Sequence, residues 1–229
     1  MATVRLRGVD DEMPVGKIVC VGANYGKHIA EMGGKADAPP DPILFLKPPT
    51  AIVRDRGEID YPAFSSLLHH ELEMVLLIGR GGFAIPADRA IDHVAGIGVG
   101  LDLTARDIQS RDREKGRPWA IAKGFNDSAP VSDFIPLKPG LNPDDLRMTL
   151  TVNGKLRQQC NTAEMLLSSA ELIAAASIYF RFERGDLLFT GTPEGVGPLE
   201  RGDALKIELE GLVSATFRIK DPGCKLSGT

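Results

Sequence analysis

The sequence predicts a β-rich α+β fold, and three observations carry that reading. Glycine (25 residues) and proline (16) are spread along all 229 positions, so the chain is cut into many short segments. Most segments are β-branched or alternating runs bounded by turn residues, the pattern of strands. Few carry helical spacing, which leaves two or three helices on a mixed sheet assembly.

The elements follow in order. Lys17–Val21 is a β-branched run closed by Gly22, a strand. Residues 25–32 have helical spacing, with Ile29 and Met32 on one face and His28 beside Glu31 at i, i+3. Residues 33–42, rich in Gly and Pro, form a loop. Ile43–Leu46 is a strand. Glu71–Ile78 alternates and then turns wholly apolar, a strand that enters the interior. Pro86–Val94 reads as a helix, and residues 96–104 as a glycine-spaced strand ending near Asp102. Ala105–Lys115 is a charged helix, and residues 119–130 a strand running into a turn. Met148–Val152 and Lys155–Gln159 flank Asn153-Gly154, the signature of a type I′ hairpin. Ala163–Tyr179 has an amphipathic helical period. The last strands surround the Gly/Pro loop 190–198 and end with Leu212–Ile219.

Composition narrows the function. A hydrophobic content of 43% supports one sizeable core, and no repeat or heptad seam suggests another architecture. The net charge of −4 argues against nucleic acid or an anionic membrane as partner. Three scattered cysteines, Cys20, Cys160 and Cys224, have neither metal spacing nor a disulfide pattern, which fits a reducing cytoplasm. No apolar run is long enough to span a bilayer. Nucleotide fingerprints are absent: no phosphate-loop motif occurs, and "GIGVGL" has Leu101 where the dinucleotide pattern needs glycine.

Four constellations could carry chemistry. Glu71 and Glu73 stand at i, i+2 and so share one face of their strand, where two carboxylates repel unless a proton or cation intervenes. Asp102 is a third candidate. Three carboxylates without a thiol favour a hard ion, Mg²⁺ or Mn²⁺ before Zn²⁺. The alternative is a solvated strand end, with Asp102 capping the following helix. His28 and Glu31 could form a base oriented by a carboxylate, or a plain surface pair. Lys123, in an apolar stretch, needs a partner or a task. Lys47, Arg106 and Gln109 could bind an anionic substrate, or simply face solvent. In the 190–198 loop, amides and the hydroxyls of Thr190 and Thr192 could face an oxyanion, or only connect strands. His93 reads as structural, and His69 and His70 as candidates to support metal ligands.

Taken in order, "VCVGANYGKHIAEMG", "PILFLKPPTAIV", "HHELEMVLLIG", "GVGLDLTARD", "GRPWAIAKGFNDSAPVSDFIP", "VNGKLRQQCNTAEM" and "GDLLFTGTPEGVGPLERGD" resemble the fumarylacetoacetate hydrolase family, in its acylpyruvase, fumarylpyruvate hydrolase and oxaloacetate decarboxylase branch. The resemblance covers about residues 15–219. It implies a mixed β-sandwich roll of the C-terminal domain type in that family, and a homodimer. Residues 1–16 are then a short N-terminal extension, 17–221 a single catalytic domain and 222–229 a C-terminal tail. It further implies one Mg²⁺ (or Mn²⁺) on Glu71, Glu73 and Asp102, catalytic roles for His28, Glu31 and Lys123, and substrate contacts from Lys47, Arg106, Gln109 and Thr192. The implied activity is metal-dependent hydrolysis of the C–C bond of an acylpyruvate, giving pyruvate and a carboxylic acid, with oxaloacetate decarboxylation from the same site. An isomerase or hydratase of 2-oxo or 2-hydroxy dienoic acids is the alternative. Ala23 departs from the arginine or serine of many relatives, and Asn126-Asp127 looks transposed.

Overall fold

The computed structural model describes residues 2–34 and 42–220. Most of the expected 33–42 loop and the 222–229 tail lie outside them. The architecture is the β-rich roll expected from the sequence: two large mixed sheets, a two-stranded and a three-stranded sheet beside them, and few helices.

The larger sheet runs Leu44–Lys47, Ile18–Val21, Leu187–Phe189, Leu72–Ile78, Val94–Leu101, Ala129–Val131, Ile52–Arg54, with Ile135–Pro136 also pairing with Val94–Leu101. Leu187–Phe189 is parallel to Ile18–Val21 and antiparallel to Leu72–Ile78. The second sheet runs Lys155–Asn161, Arg147–Val152, Ala204–Leu209, Val213–Ile219, Glu58–Ile59. Met74, Leu76, Ile97 and Val99 face Met148, Leu150, Ile207 and Ala215 between the sheets. Val75, Leu77, Leu187 and Phe189 face the opposite way, onto a second cluster. There Val4, Leu6, Met13 and Val15 of the N-terminal hairpin cover them. Leu72–Ile78 is therefore buried on both faces, which explains why its sequence abandons alternation.

Gly96, Gly98 and Gly100 mark one face of Val94–Leu101. A Cβ at Gly96 would meet the Ile135 carbonyl oxygen at 2.6 Å, and one at Gly98 would meet Ser132 Oγ at 3.0 Å, so only glycine lets that crossing segment lie flat. The hairpin turn is as expected, with Asn153 at φ 52° and Gly154 at φ 74°.

Three expectations need correction. Residues 119–130 do not open as a strand: Ala120–Lys123 is one turn of α-helix, with Gly124 N–H donating to the Ala120 carbonyl. A short apolar run is ambiguous between the two periods, and two alanines tip it toward helix. That turn sends Ile121 outward at 57% exposure and Lys123 inward at 3%. The helix expected over 163–179 begins only at Ser169. Two capping boxes divide the segment: Asn161 with Glu164 opens a 3₁₀ turn at Thr162–Glu164, and Ser168 with Glu171 opens the helix. The helix expected over 86–94 is α only at Ala87–Ala90, continues as a 3₁₀ turn at Ile91–His93, and yields to a strand at Val94. No helix among the described residues is long and apolar enough to cross a membrane.

Candidate active site

Sheet register assembles three carboxylates. Leu72 pairs with Leu101 and Glu73 with Gly100, and Asp102 N–H donates to the Glu71 carbonyl at 2.8 Å, so Glu71 and Asp102 are cross-strand neighbours. Glu73 lies two residues along the same face, opposite Gly100. One oxygen from each of Glu71, Glu73 and Asp102 comes within 4.8 Å of the others, and all three residues are buried. Asp102 does not cap the helix that follows, whose N-cap is Ala105.

Each carboxylate is held differently. Lys123 Nζ donates to Glu71 Oε2 at 2.7 Å and to Asp102 Oδ2 at 2.6 Å. Arg106 donates to Glu71 Oε1 and to Gln109 Oε1. Lys47 Nζ donates to the Leu103 and Lys123 carbonyls and lies 2.9 Å from Asp102 Oδ1. Glu73 draws on a backbone amide rather than on a cation: Gly191 N–H donates to its Oε2 at 2.7 Å. Gly191 can do this because its φ is +96°, and a Cβ there would sit 2.8 Å from Asn24 Cβ.

The electrostatics follow from these contacts. Burial pushes Glu71 up, but Lys123 and Arg106 outweigh it and hold the carboxyl well below its usual range. Burial, then Asp102 and Glu71, push Glu73 well above it. Burial disfavours the Lys123 ammonium, yet Asp102 and Glu71 more than restore it. The cluster thus fits a divalent cation on its own evidence. Its donors are hard oxygens, Glu73 has no paired side-chain cation among the described residues, and buried Asp102 Oδ1 receives no directed hydrogen bond despite Lys47.

A cavity of about 220 Å³ opens onto the cluster. His28, Glu71, Arg106, Gln109 and Lys123 line it, with Ala23, Ile29, Met32, Ile43, Arg113 and Trp119 on its other walls. Burial lowers the pKa of His28, so its imidazole is neutral at pH 7. Its buried Nδ1 has no hydrogen-bond partner and faces Glu31 Oε2 at 3.6 Å, beyond the ~3.2 Å reach of a good N–H···O bond. Glu31 accepts instead from Gly195 N–H at 3.2 Å.

The expected residues therefore converge unequally. Lys47 lies on the Asp102 side of the cluster and is not part of the cavity wall. Thr192 is buried and accepts a hydrogen bond from Gln158, which sequence reasoning passed over. Its signal was present: Gln158 occupies an inward position of an alternating strand, where an apolar side chain is the default. His70 Nδ1 meets Gln158 Oε1 at 2.9 Å. His69, its pKa lowered to about 4 by burial and then by Arg106, lies 3.5 Å from the Arg106 guanidinium. His93 meets the Arg80 carbonyl at 2.8 Å, a structural contact.

Residues 17–220 match the model of the fumarylacetoacetate (FAA) hydrolase C-terminal domain. The chain belongs to the fumarylacetoacetate hydrolase family. Within it, the chain is 44% identical over 203 residues to the mitochondrial oxaloacetate tautomerase FAHD1 of Mus musculus, covering 89% of this chain and 91% of that one. It is 43% identical over 201 residues to oxaloacetate tautomerase YcgM of Escherichia coli (strain K12), covering 87% and 91%. Its fold matches that of fumarylpyruvate hydrolase from Pseudomonas aeruginosa in complex with Mn²⁺ and pyruvate, with a TM-score of 0.91 and 39% identity over 96% of this chain and 95% of that one. These family members are enzymes, and one of them holds a divalent ion.

Proposed function

We propose that the protein takes a short 2-oxo acid through a pyruvate-type enolate, with tautomerisation of oxaloacetate as its principal activity. The observation that carries this reading is the convergence of Glu71, Glu73 and Asp102, the first and last of them bound by Lys123, beside a cavity lined by neutral His28 and by Arg106. The names of the mouse and E. coli relatives support the substrate.

Glu71, Glu73 and Asp102 would hold Mg²⁺, or Mn²⁺ in its place. Bound there, the ion supplies Lewis-acid polarisation of the 2-oxo oxygen. Lys123 adds a fixed positive charge on the same side, which favours negative charge developing on that oxygen. Arg106 and Gln109, one helical turn apart on the cavity wall, offer N–H donors to a substrate carboxylate. His28 removes a proton from the carbon beside the 2-oxo group and returns it to the oxygen, so the keto form becomes the enol with atoms balanced. Glu31 stabilises the imidazolium in between.

Hydrolysis of an acylpyruvate is the second reading, favoured by the His28–Glu31 pair and by the fumarylpyruvate hydrolase fold. His28 then takes its proton from water, and the hydroxide adds to the 4-oxo carbon. The C3–C4 bond breaks, leaving a carboxylic acid and the pyruvate enolate, which His28 protonates at C3. Oxaloacetate decarboxylation would leave the same enolate without needing water.

The test is purified protein with Mg²⁺, following decay of the enol absorbance of oxaloacetate. Acetylpyruvate and fumarylpyruvate are assayed in parallel, with products identified by NMR. Tautomerisation that EDTA removes and Mg²⁺ restores is expected. Glu73→Ala should keep the circular dichroism of the fold and lose the ion-dependent rate. Equal rates with and without the ion would sink the reading.

A further inference from the structure

Gln158 is 1% exposed on the strand Lys155–Asn161, and nothing in the proposed chemistry uses it. It follows a register shift in that strand: Leu150 pairs with Gln158 but Thr151 with Leu156, so Arg157 is the extra residue. Such irregularities re-aim a neighbouring side chain. Here the side chain reaches out of its own sheet.

All four hydrogen-bonding positions of the amide are engaged. Leu72 N–H donates to Oε1 at 3.0 Å, which fixes the amide's orientation, and His70 Nδ1 meets the same oxygen at 2.9 Å. His70 must therefore carry its proton on Nδ1. Nε2 donates to Thr192 Oγ1 at 3.0 Å and to the Pro193 carbonyl at 3.1 Å, with the Glu194 carbonyl at 3.4 Å. The two anchor points bracket the working residues. Glu71 lies between His70 and Leu72. Gly191, whose N–H holds Glu73, adjoins Thr192, and Gly195, whose N–H holds Glu31, adjoins Glu194.

We infer that Gln158 is a positioning residue that sets the loop 191–195 against the carboxylate strand, and so fixes the spacing between the ion-binding carboxylates and the Glu31 partner of His28. A buried amide in an inward strand position is otherwise a poor choice, since an apolar side chain would fill it without four bonds to satisfy. This inference rests on the proposed ion site, because its readout is the affinity of that site. One side chain thereby couples two parts of the centre whose contacts lie 34 and 86 residues from it in the chain and which touch it only through the fold.

The test compares wild type, Gln158→Leu and Leu150→Val, the last being the buried apolar residue paired with Gln158 in the adjoining strand. Mn²⁺ binding is measured by calorimetry on each folded protein, with kcat and KM on oxaloacetate beside it. Removing a group that orients metal ligands typically weakens affinity 10- to 100-fold. Gln158→Leu should therefore raise the Mn²⁺ Kd at least about tenfold and lower kcat more than it raises KM. Leu150→Val should lose thermal stability with Kd and kcat retained. A Gln158→Leu Kd and kcat within twofold of Leu150→Val would overturn the inference, whereas a wild-type protein that binds no Mn²⁺ would overturn the ion site itself. Should Gln158→Leu fail to fold, hydrogen exchange in the wild type decides. Mn²⁺ has to slow exchange at the Gly195 amide as well as at Gly191, and protection confined to Gly191 would refute the coupling.

Discussion

Replacing Lys123 with methionine separates the charge balance of the site from its chemistry. The ammonium is 3% exposed and contacts Glu71 at 2.7 Å and Asp102 at 2.6 Å. Removing one partner of a buried ion pair typically costs about 3–5 kcal/mol, because the remaining charge is left without compensation. Arg106 still pairs with Glu71 and Lys47 still lies against Asp102, so the lower end of about 3 kcal/mol applies. For a chain of this size each kcal/mol moves Tm by about 2–4 °C, giving a fall of about 6–12 °C in EDTA. An ion at 100 times its Kd returns about 2.7 kcal/mol. With one positive charge fewer beside the carboxylates, the variant binds the ion more tightly, so its Tm gain on adding Mn²⁺ should exceed that of the wild type. Turnover at saturating Mn²⁺ should still fall about 10²–10³-fold, since the charge that favours the enolate oxygen is gone. Thermal unfolding in EDTA and in Mn²⁺, with enol decay beside it, measures all three. A Tm in EDTA within about 2 °C of wild type, or full activity restored by the ion, would refute the reasoning.

His28→Ala should slow oxaloacetate tautomerisation about 10²–10⁴-fold while leaving Mn²⁺ affinity measured by calorimetry near wild type; a rate within threefold would remove its role as base. Burial lowers His28 below the ordinary histidine value of 6.5, so kcat/KM should hold down through pH 6.5 and fall only at lower pH, where the imidazole takes a proton. The unfolded chain binds that proton first, so stability from this group is present above pH 6.5 and lost as pH falls through the folded-state value; a rate profile already falling above 6.5 contradicts the assignment. Gly191→Ala combines a φ of +96° with a 2.8 Å approach to Asn24 Cβ, and should cost about 1–3 kcal/mol in urea unfolding and weaken Mn²⁺ binding by moving the amide off Glu73. An unchanged Kd would show that this amide does not support the site.

Local sequence was enough for the strand-rich architecture, the Asn153-Gly154 hairpin and the shared face of Glu71 and Glu73. Each depends on a period of two or on the φ preferences of a few adjacent residues, so each is written locally. The family motifs also named Asp102, His28 and Lys123. Two capping boxes, Asn161 with Glu164 and Ser168 with Glu171, were equally local, yet the longer helical period over 163–179 masked them. It takes the folded chain to place Asp102 opposite Glu71, to bring Lys123 to both from a single helical turn, to set Lys47 against Asp102 outside the cavity wall, and to tie the 191–195 loop to the carboxylate strand through Gln158. Those relations depend on strand register between segments tens of residues apart. Register is set by which buried faces match across the whole core, a sum over many contacts that no short stretch of sequence contains.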